Sequence, residues 1–120
     1  MATILVHLTT GPENPTKAAL AFLVAKTATE HGHEVSMFLA GDATQLLRDN
    51  VLDSLIGLGT GSLRGSYDAV VASGAAIYAS GMSSKARGVD QSDLDGKPVE
   101  FATPDRLVEL AVESDRVLTY

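Results

Sequence analysis

Short apolar runs alternate with longer helical stretches along the chain. Runs of this length, bounded by turn residues, are typical of strands. The predicted strands are Thr3–Leu8, Glu34–Leu39, Ala75–Ala79, Lys97–Phe101 and Arg116–Thr119. Pro98 makes the fourth a poor central strand, because proline cannot donate to a neighbouring strand. The alternation predicts an α/β fold: a single domain over residues 1–120, with a three-layer α/β/α arrangement and a mainly parallel sheet of about five strands.

The first predicted helix has clear signals at both ends. Asn14 followed by Pro15 is typical of a helix start, and Gly32 stops the helix after about His31. Its middle, Ala18–Ala25, is apolar without interruption, whereas a surface helix shows only an apolar stripe. We therefore expect it to pack on the sheet with one side and on a second helix or another subunit with the other.

Capping residues and glycines delimit the later helices. In chain order they are Ala43–Asp49 capped by Asp42, a helical or irregular stretch over Val51–Leu58, a helix from the cap Ser62 to about Ser73, a short helix Ser84–Arg87 capped by Ser83, and a helix from Thr103–Pro104–Asp105 to about Ser114. The apolar residues of Val51–Leu58 and of the first helix exceed what one small sheet can cover. Self-association is the expected consequence.

Composition narrows the possible functions. The 120 residues include no cysteine, which excludes disulfides, thiolate metal sites and cysteine nucleophiles. The net charge of −6 disfavours nucleic acid as a partner. No stretch of about 20 apolar residues and no basic leader are found, so we expect a cytoplasmic protein without a membrane partner.

Four segments in this order carry a family resemblance: LTTGPENPTKAALAF from Leu8, SMFLAGDATQLL from Ser36, IYASGMSSKARGV from Ile77 and LVELAVESDRVLTY from Leu107. The most specific parts are SSKARGV and DRVLTY. Together they resemble the DsrE/DsrF-like (YchN-like) family of small α/β proteins linked to sulfur relay. The resemblance implies a parallel sheet flanked by helices and homo- or hetero-oligomers, commonly trimers or hexamers.

The same resemblance implies where a sulfur carrier of this family would hold its sulfur. The carrier cysteine follows the third strand, sometimes with a second cysteine three residues later. Those positions match Ser80 and Ser83. A persulfide requires a sulfur atom on the protein, so this chain cannot be a covalent sulfur carrier of that type, and sulfurtransferase activity does not carry over.

Open parallel sheets bind ligands at the carboxyl ends of their strands, which draws attention to the loops Thr9–Thr16, Ala40–Asp42 and Ser80–Arg87. Lys85 and Arg87, with the amides of Gly81–Ser84, suit an anion such as phosphate, sulfate or carboxylate. The alternative is a solvated basic turn that pairs with acids such as Asp42 or Asp90. The first loop and the helix start after it would face the same pocket with the hydroxyls of Thr9 and Thr10, the amide of Gly11 and the side chain of Lys17.

Ser80 has three interpretations. Ser80 and Ser83 can cap the helix and satisfy its amides. Ser80 can instead donate a hydrogen bond to a ligand. In the third interpretation it is a nucleophile with His7 as its base and Asp42 assisting, because a serine hydroxyl needs an adjacent base. Asp42 is equally explained as a helix cap, which we favour.

The sequence thus leaves three functional hypotheses. The first is a cysteine-free DsrE-like oligomer that binds a small anionic ligand or a partner protein at Ser80–Arg87. The second is a hydrolase or transferase that uses Ser80, His7 and Asp42. The third is a purely structural subunit. No cofactor is expected, and no metal site, since the pair His31 and His33 and the acidic run Asp90–Asp95 both lack ligand spacing.

Overall fold

A computed structural model describes every residue from Met1 to Tyr120. The strands are β1 (Thr3–Leu8), β2 (Glu34–Leu39), β3 (Ile56–Gly57), β4 (Gly61–Ser62), β5 (Ala76–Ser80), β6 (Val99–Ala102) and β7 (Arg116–Thr119). Five of them form one sheet in the order β6-β5-β2-β1-β7, and every neighbouring pair in it is parallel. The short strands β3 and β4 form a separate antiparallel hairpin.

The helices are α1 (Pro15–Glu30), α2 (Asp49–Ser54), α3 (Leu63–Ala72), α4 (Gly81–Ala86) and α5 (Pro104–Glu113), with 3₁₀ helices at Gly41–Leu47 and Gln91–Leu94. None of these helices is long and apolar enough to cross a bilayer. The predicted α/β fold is confirmed. Pro98 stands just before β6, an edge strand, as the proline rule requires.

Side chains of β1 alternate between two hydrophobic clusters, one on each face of the sheet. Val6 and Leu8 belong to the larger cluster, which includes the buried face of α1. Leu5 packs with Phe38 and with Leu110 of α5 in a smaller cluster on the other face. Period-two alternation therefore places helices on both faces, which is the predicted three-layer arrangement.

Helix α1 begins where the sequence predicts. The Asn14 side chain accepts a hydrogen bond from the Lys17 N–H at 3.1 Å, and Gly32 follows the helix with φ +82°. Helix α1 also packs against α3, and Phe22 meets Tyr67 with ring centroids 6.1 Å apart. A second helix therefore covers part of the apolar middle of α1, while Leu23 and Val24 line an open cavity of about 390 Å³.

Two predicted helix starts are wrong. The stretch after β2 is a 3₁₀ helix that begins at Gly41 without a side-chain cap, because the Asp42 carboxylate accepts a hydrogen bond from Arg87 instead. The short helix after β5 is capped by Ser80 rather than Ser83, since Oγ of Ser80 accepts from the Ser83 N–H at 3.1 Å. Strand β5 therefore passes directly into α4, which begins at Gly81.

Candidate functional site

The first strand-end loop is held by contacts within the chain. The N–H of Thr9 donates to the Tyr120 carbonyl at 2.8 Å, and its hydroxyl donates to the same oxygen at 3.2 Å. A Cβ on Gly11 would lie 2.1 Å from the Asp42 carbonyl oxygen, so only glycine allows the first and second loops to pack this closely. Lys17 lies exposed on the first turn of α1.

The second and third loops are joined by polar contacts. Oγ of Ser83 accepts a hydrogen bond from the Gly41 N–H at 2.9 Å. Nε of Arg87 donates to Oδ1 of Asp42 at 2.9 Å, and Nη1 of Arg87 donates to the Ser83 carbonyl at 3.2 Å. Of the two interpretations of Arg87, the structure therefore shows the ion pair with Asp42. Arg87, Ser83 and Asp42 together fasten α4 to the 3₁₀ helix that follows β2.

The structure does not assemble Ser80, His7 and Asp42 into a proton relay. Strand β2 lies between β5 and β1, so Ser80 and His7 are separated by two strand spacings, about 10 Å in that direction alone. The Ser80 hydroxyl serves as the cap of α4, and Asp42 pairs with Arg87. The enzymatic hypothesis has no geometric support here.

His7 occupies a half-buried position on the face of the sheet covered by α5. Its ring meets Phe38 edge-on, with centroids 6.2 Å apart, and its Nε2 is buried without a hydrogen-bond partner. Burial lowers the pKa of His7, because the charged ring loses contact with water. His7 is thus a neutral packing residue at physiological pH.

A cavity of about 400 Å³ lies on the other side of α4, between this helix and the edge strand β6. It is lined by Gly81, Ser84, Lys85, Gly88, Val89, Asp90, Gln91 and Phe101. Two of these residues, Gly81 and Lys85, belong to the site predicted from the sequence. Ser84 was considered only for its backbone amide and Asp90 only as an ion-pair partner, and the remaining four residues were missed.

The helical spacing of residues 81–88 already indicates that this segment has two different faces. Gly81, Ser84, Lys85 and Gly88 follow one another at intervals of three, one and three residues, which is the spacing of one helix face. Ser83 and Arg87, four residues apart, share the opposite face, which is directed at the 3₁₀ helix after β2. The cavity and the ion pair therefore use different sides of the same short helix.

Two polar groups of the cavity lack a partner within the protein. Ser84 is only 1% exposed, yet its hydroxyl makes no hydrogen bond. Buried hydroxyls normally find a partner, and this one has none within the protein. Lys85 is exposed and takes part in none of the ion pairs of the chain.

Asp90 contributes a negative charge to the same cavity. Its carboxylate accepts hydrogen bonds from the N–H and the hydroxyl of Ser92, and these bonds lower the pKa of Asp90. The Asp90 N–H in turn donates to Asp93 at 3.0 Å, which completes a capping box. Asp90 is therefore an ionised and structurally committed group, whereas Lys85 is free to bind.

A different cavity, of about 270 Å³, lies at the amino ends of β2 and β5, and its lining includes His33 and Glu34. Nδ1 of His33 accepts a hydrogen bond from the Ala2 N–H at 3.0 Å. This cavity contains none of the predicted site residues and lies at the end of the sheet opposite to that used by ligands of parallel sheets. We therefore take the cavity beside α4 as the candidate site.

Comparison with known proteins agrees with the fold and with the segments noted above. The sequence model of the DsrE/DsrF-like family matches residues 2–120. The chain belongs to the DsrE/DsrF-like family. None of the curated proteins matches it in sequence.

Two solved structures share the fold of this DsrE/DsrF-like chain. The crystal structure of the YchN protein from E. coli matches with a TM-score of 0.81 at 18% identity and covers 100% of both chains. A conserved protein of unknown function from Bacteroides thetaiotaomicron matches with a TM-score of 0.71 at 16% identity, over 99% of this chain and 95% of the other. At these identities the likeness shows the fold alone.

Family membership bears on the roles of Ser80 and Ser83. Ser80 and Ser83 stand where the resemblance implies cysteine in sulfur-carrying members, and the chain contains no cysteine at all. Both serine hydroxyls accept hydrogen bonds from backbone N–H groups. The two residues therefore hold the end of β5, α4 and the neighbouring loop together.

Proposed function

We propose that this chain is a non-catalytic, cysteine-free DsrE/DsrF-like protein that binds a small anionic ligand in the cavity beside α4. The single observation that carries the proposal is the unpaired ammonium of Lys85 at a cavity of about 400 Å³. The lining of this cavity also includes Ser84, whose buried hydroxyl has no partner. A cavity of this size falls within the range of small-molecule sites. A lysine without a carboxylate partner can compensate the charge of a bound anion.

The remaining residues of the predicted site have supporting roles in this proposal. Ser80 caps α4, and Ser83 and Arg87 fasten it to the loop after β2, so the helix that carries Lys85 is held in place. Thr9 and Gly11 order the first loop. Binding through Lys85 requires none of the proton transfers that the enzymatic alternative needs.

The test is a titration by isothermal calorimetry with acetate, sulfate and phosphate at constant ionic strength. Lys85→Ala should weaken binding of the preferred anion about tenfold, which corresponds to about 1.4 kcal/mol. Lys17→Ala is the matched control, because Lys17 is also exposed and lies on the first turn of α1, next to the first strand-end loop. Binding that survives in Lys85→Ala but is lost in Lys17→Ala would move the site to that loop. No binding of any anion would refute the proposal.

We also propose that the chain forms a homo-oligomer, a trimer or a hexamer, as the family resemblance implies. Large apolar side chains that stay exposed support this: Ile56 is 70% exposed, Leu58 89% and Val112 80%. Exposed apolar surface of this kind is commonly covered by another protein chain. Native mass spectrometry at micromolar concentration would show the oligomer, and a monomer alone would contradict it.

A further inference from the structure

We infer that the ligand is a monovalent anion with an apolar body, a monocarboxylate of the benzoate type, rather than an inorganic dianion. This inference rests on the proposed function and names the ligand class of the same cavity. It depends on three features of the lining: the balance of charges, the apolar wall and the unpaired hydroxyl of Ser84.

The lining of the cavity offers a ligand one positive charge, which Asp90 partly offsets. Lys85 is the one cationic side chain in the lining, and Asp90 is the one anionic side chain. Arg48 lies behind Gly88, where its Nη2 donates to the Arg87 carbonyl at 2.8 Å, and it does not line the cavity. A second negative charge on the ligand would therefore have no cation of its own and would be repelled by Asp90.

The cavity also provides apolar surface that a small inorganic ion would leave in contact with water. Phe101 of β6 is partly exposed and contributes its side chain to the wall, whereas Val89 is only 3% exposed and backs the wall from inside. Gly81 and Gly88 add no side chains, so the wall stays open on the α4 side. An apolar ring or alkyl group filling this space would gain hydrophobic free energy that phosphate cannot.

Ser84 supplies the remaining interaction. Its hydroxyl is buried at the wall and makes no hydrogen bond, and Ser84 is adjacent in sequence to Lys85. A carboxylate has two oxygens that accept hydrogen bonds. One oxygen can accept from the Lys85 ammonium. The other can accept from the Ser84 hydroxyl once that side chain, which is closed off from solvent in this structure, turns toward the cavity.

The test is calorimetry of the full chain with benzoate, benzamide and inorganic phosphate at equal ionic strength. Benzoate should bind at least tenfold more tightly than either of the others. Benzamide has the same ring without the charge, and phosphate has the charge without the ring. Backbone amide NMR shifts induced by benzoate should be concentrated in residues 81–91 and at Phe101.

Two variants test the lining directly. Ser84→Ala should weaken benzoate binding several-fold, with an unchanged circular dichroism spectrum as the check on folding. Asp90→Asn retains an oxygen that can accept from Ser92, but removes the negative charge. It should therefore strengthen phosphate binding more than benzoate binding and narrow the gap between the two affinities.

The outcomes separate this inference from the proposed function. Phosphate binding as tightly as benzoate overturns the monocarboxylate assignment and leaves anion binding standing. Amide shifts located away from α4 and Phe101 overturn the assignment and the proposed site together. Unchanged benzoate affinity in folded Ser84→Ala overturns the role given to that hydroxyl. Equal binding of benzamide and benzoate overturns both. No binding by any of the three overturns the monocarboxylate assignment, and it overturns the proposed function as well when acetate and sulfate also fail to bind.

Discussion

Asp42 and Arg87 are 45 residues apart in the chain, yet Nε of Arg87 donates to Oδ1 of Asp42 at 2.9 Å. The pair joins the loop after β2 to the end of α4, alongside the hydrogen bond from the Gly41 N–H to Ser83. The cation of this pair, Arg87, is one of the two that the sequence suggests for anion binding. The partner of Arg87 thus leaves Lys85 as the available charge on α4.

Breaking this pair should cost little stability. The side chains of Arg87 and Asp42 are 31% and 49% exposed, and solvent screens partly exposed pairs, so we expect a coupling of about 0.2–1 kcal/mol. A double-mutant cycle with Arg87→Ala and Asp42→Ala, followed by urea unfolding, measures it. The coupling should shrink in high salt. A coupling near zero in low salt would show that the contact is energetically silent.

Gly11→Ala should destabilise the protein by about 1–3 kcal/mol. The new Cβ would lie 2.1 Å from the Asp42 carbonyl oxygen, and a backbone atom can move away only if the loop shifts. Gly65→Ala is the matched control. It lies inside α3, where the nearest atom to a new Cβ is 3.9 Å away, so alanine should stabilise by about 0.5–1 kcal/mol. Equal effects at the two positions would contradict the close packing of the loops.

His7 should make stability depend on pH in the mildly acidic range. Burial lowers its pKa in the folded chain, so between that value and the unfolded value near 6.5 the unfolded chain binds more protons. The free energy of unfolding should therefore fall as pH drops below about 6.5, level off below the folded pKa, and show no His7 contribution at higher pH.

The measurement is chemical unfolding at several pH values, with His7→Phe as the comparison. The variant should lose the part of the slope that His7 contributes. The ring protons of His7, followed by NMR, should titrate below pH 6.5. Titration above that pH would mean that the ring has a partner that stabilises its charge.

Lys97 should stabilise the connection between α2 and the edge of the sheet. Its side chain is 7% exposed, and its Nζ lies 2.7 Å from both Oδ1 of Asp49 and the Asp93 carbonyl. Lys97→Met keeps the apolar stem but removes these bonds, which should cost about 1–3 kcal/mol in urea unfolding. Lys26→Met, on α1, should have a smaller effect.

The same variant should also change Asp49. The hydrogen bond from Lys97 is the main cause of the lowered pKa of Asp49, so Lys97→Met should raise that pKa toward its ordinary value. Carboxyl carbon NMR shifts recorded against pH would show the change. An unaltered titration of Asp49 would assign the lowered pKa to Arg64, which lies 4.0 Å away.

Ser80→Ala should lose the cap of α4 and cost about 1 kcal/mol, whereas Ser80→Asn should cost much less because its side-chain oxygen can still cap. Anion binding through Lys85 should persist in Ser80→Asn. A fluorophosphonate reagent should not label the wild-type chain at Ser80. Labelling there would revive the serine-nucleophile alternative, because an unactivated serine does not react.

Local signals predicted the elements whose boundaries depend on neighbouring residues. Asn14 and Pro15 start α1, Ser62 caps α3 through the Gly65 N–H, and Pro98 keeps β6 at the edge. These signals work because a cap or a proline acts on backbone groups within three or four residues. The predicted start of α4 was wrong because Ser80 and Ser83 are both suitable caps. The position at which β5 ends decides between them.

The amino-acid sequence by itself determined the parallel α/β architecture, the lack of a cysteine that could carry sulfur, and the two cations Lys85 and Arg87 after β5. These features follow from the alternation of elements, from composition and from chain order, and none of them depends on a contact between distant residues. Only the tertiary structure decided which cation is free and where the cavity lies. The parallel pairing of β5 with β6 aligns Ser80 with Ala102 and brings Phe101 beside α4, while Asp42 reaches Arg87 from the other side. Such contacts join residues far apart in the chain, and only packing of the whole sheet brings them together.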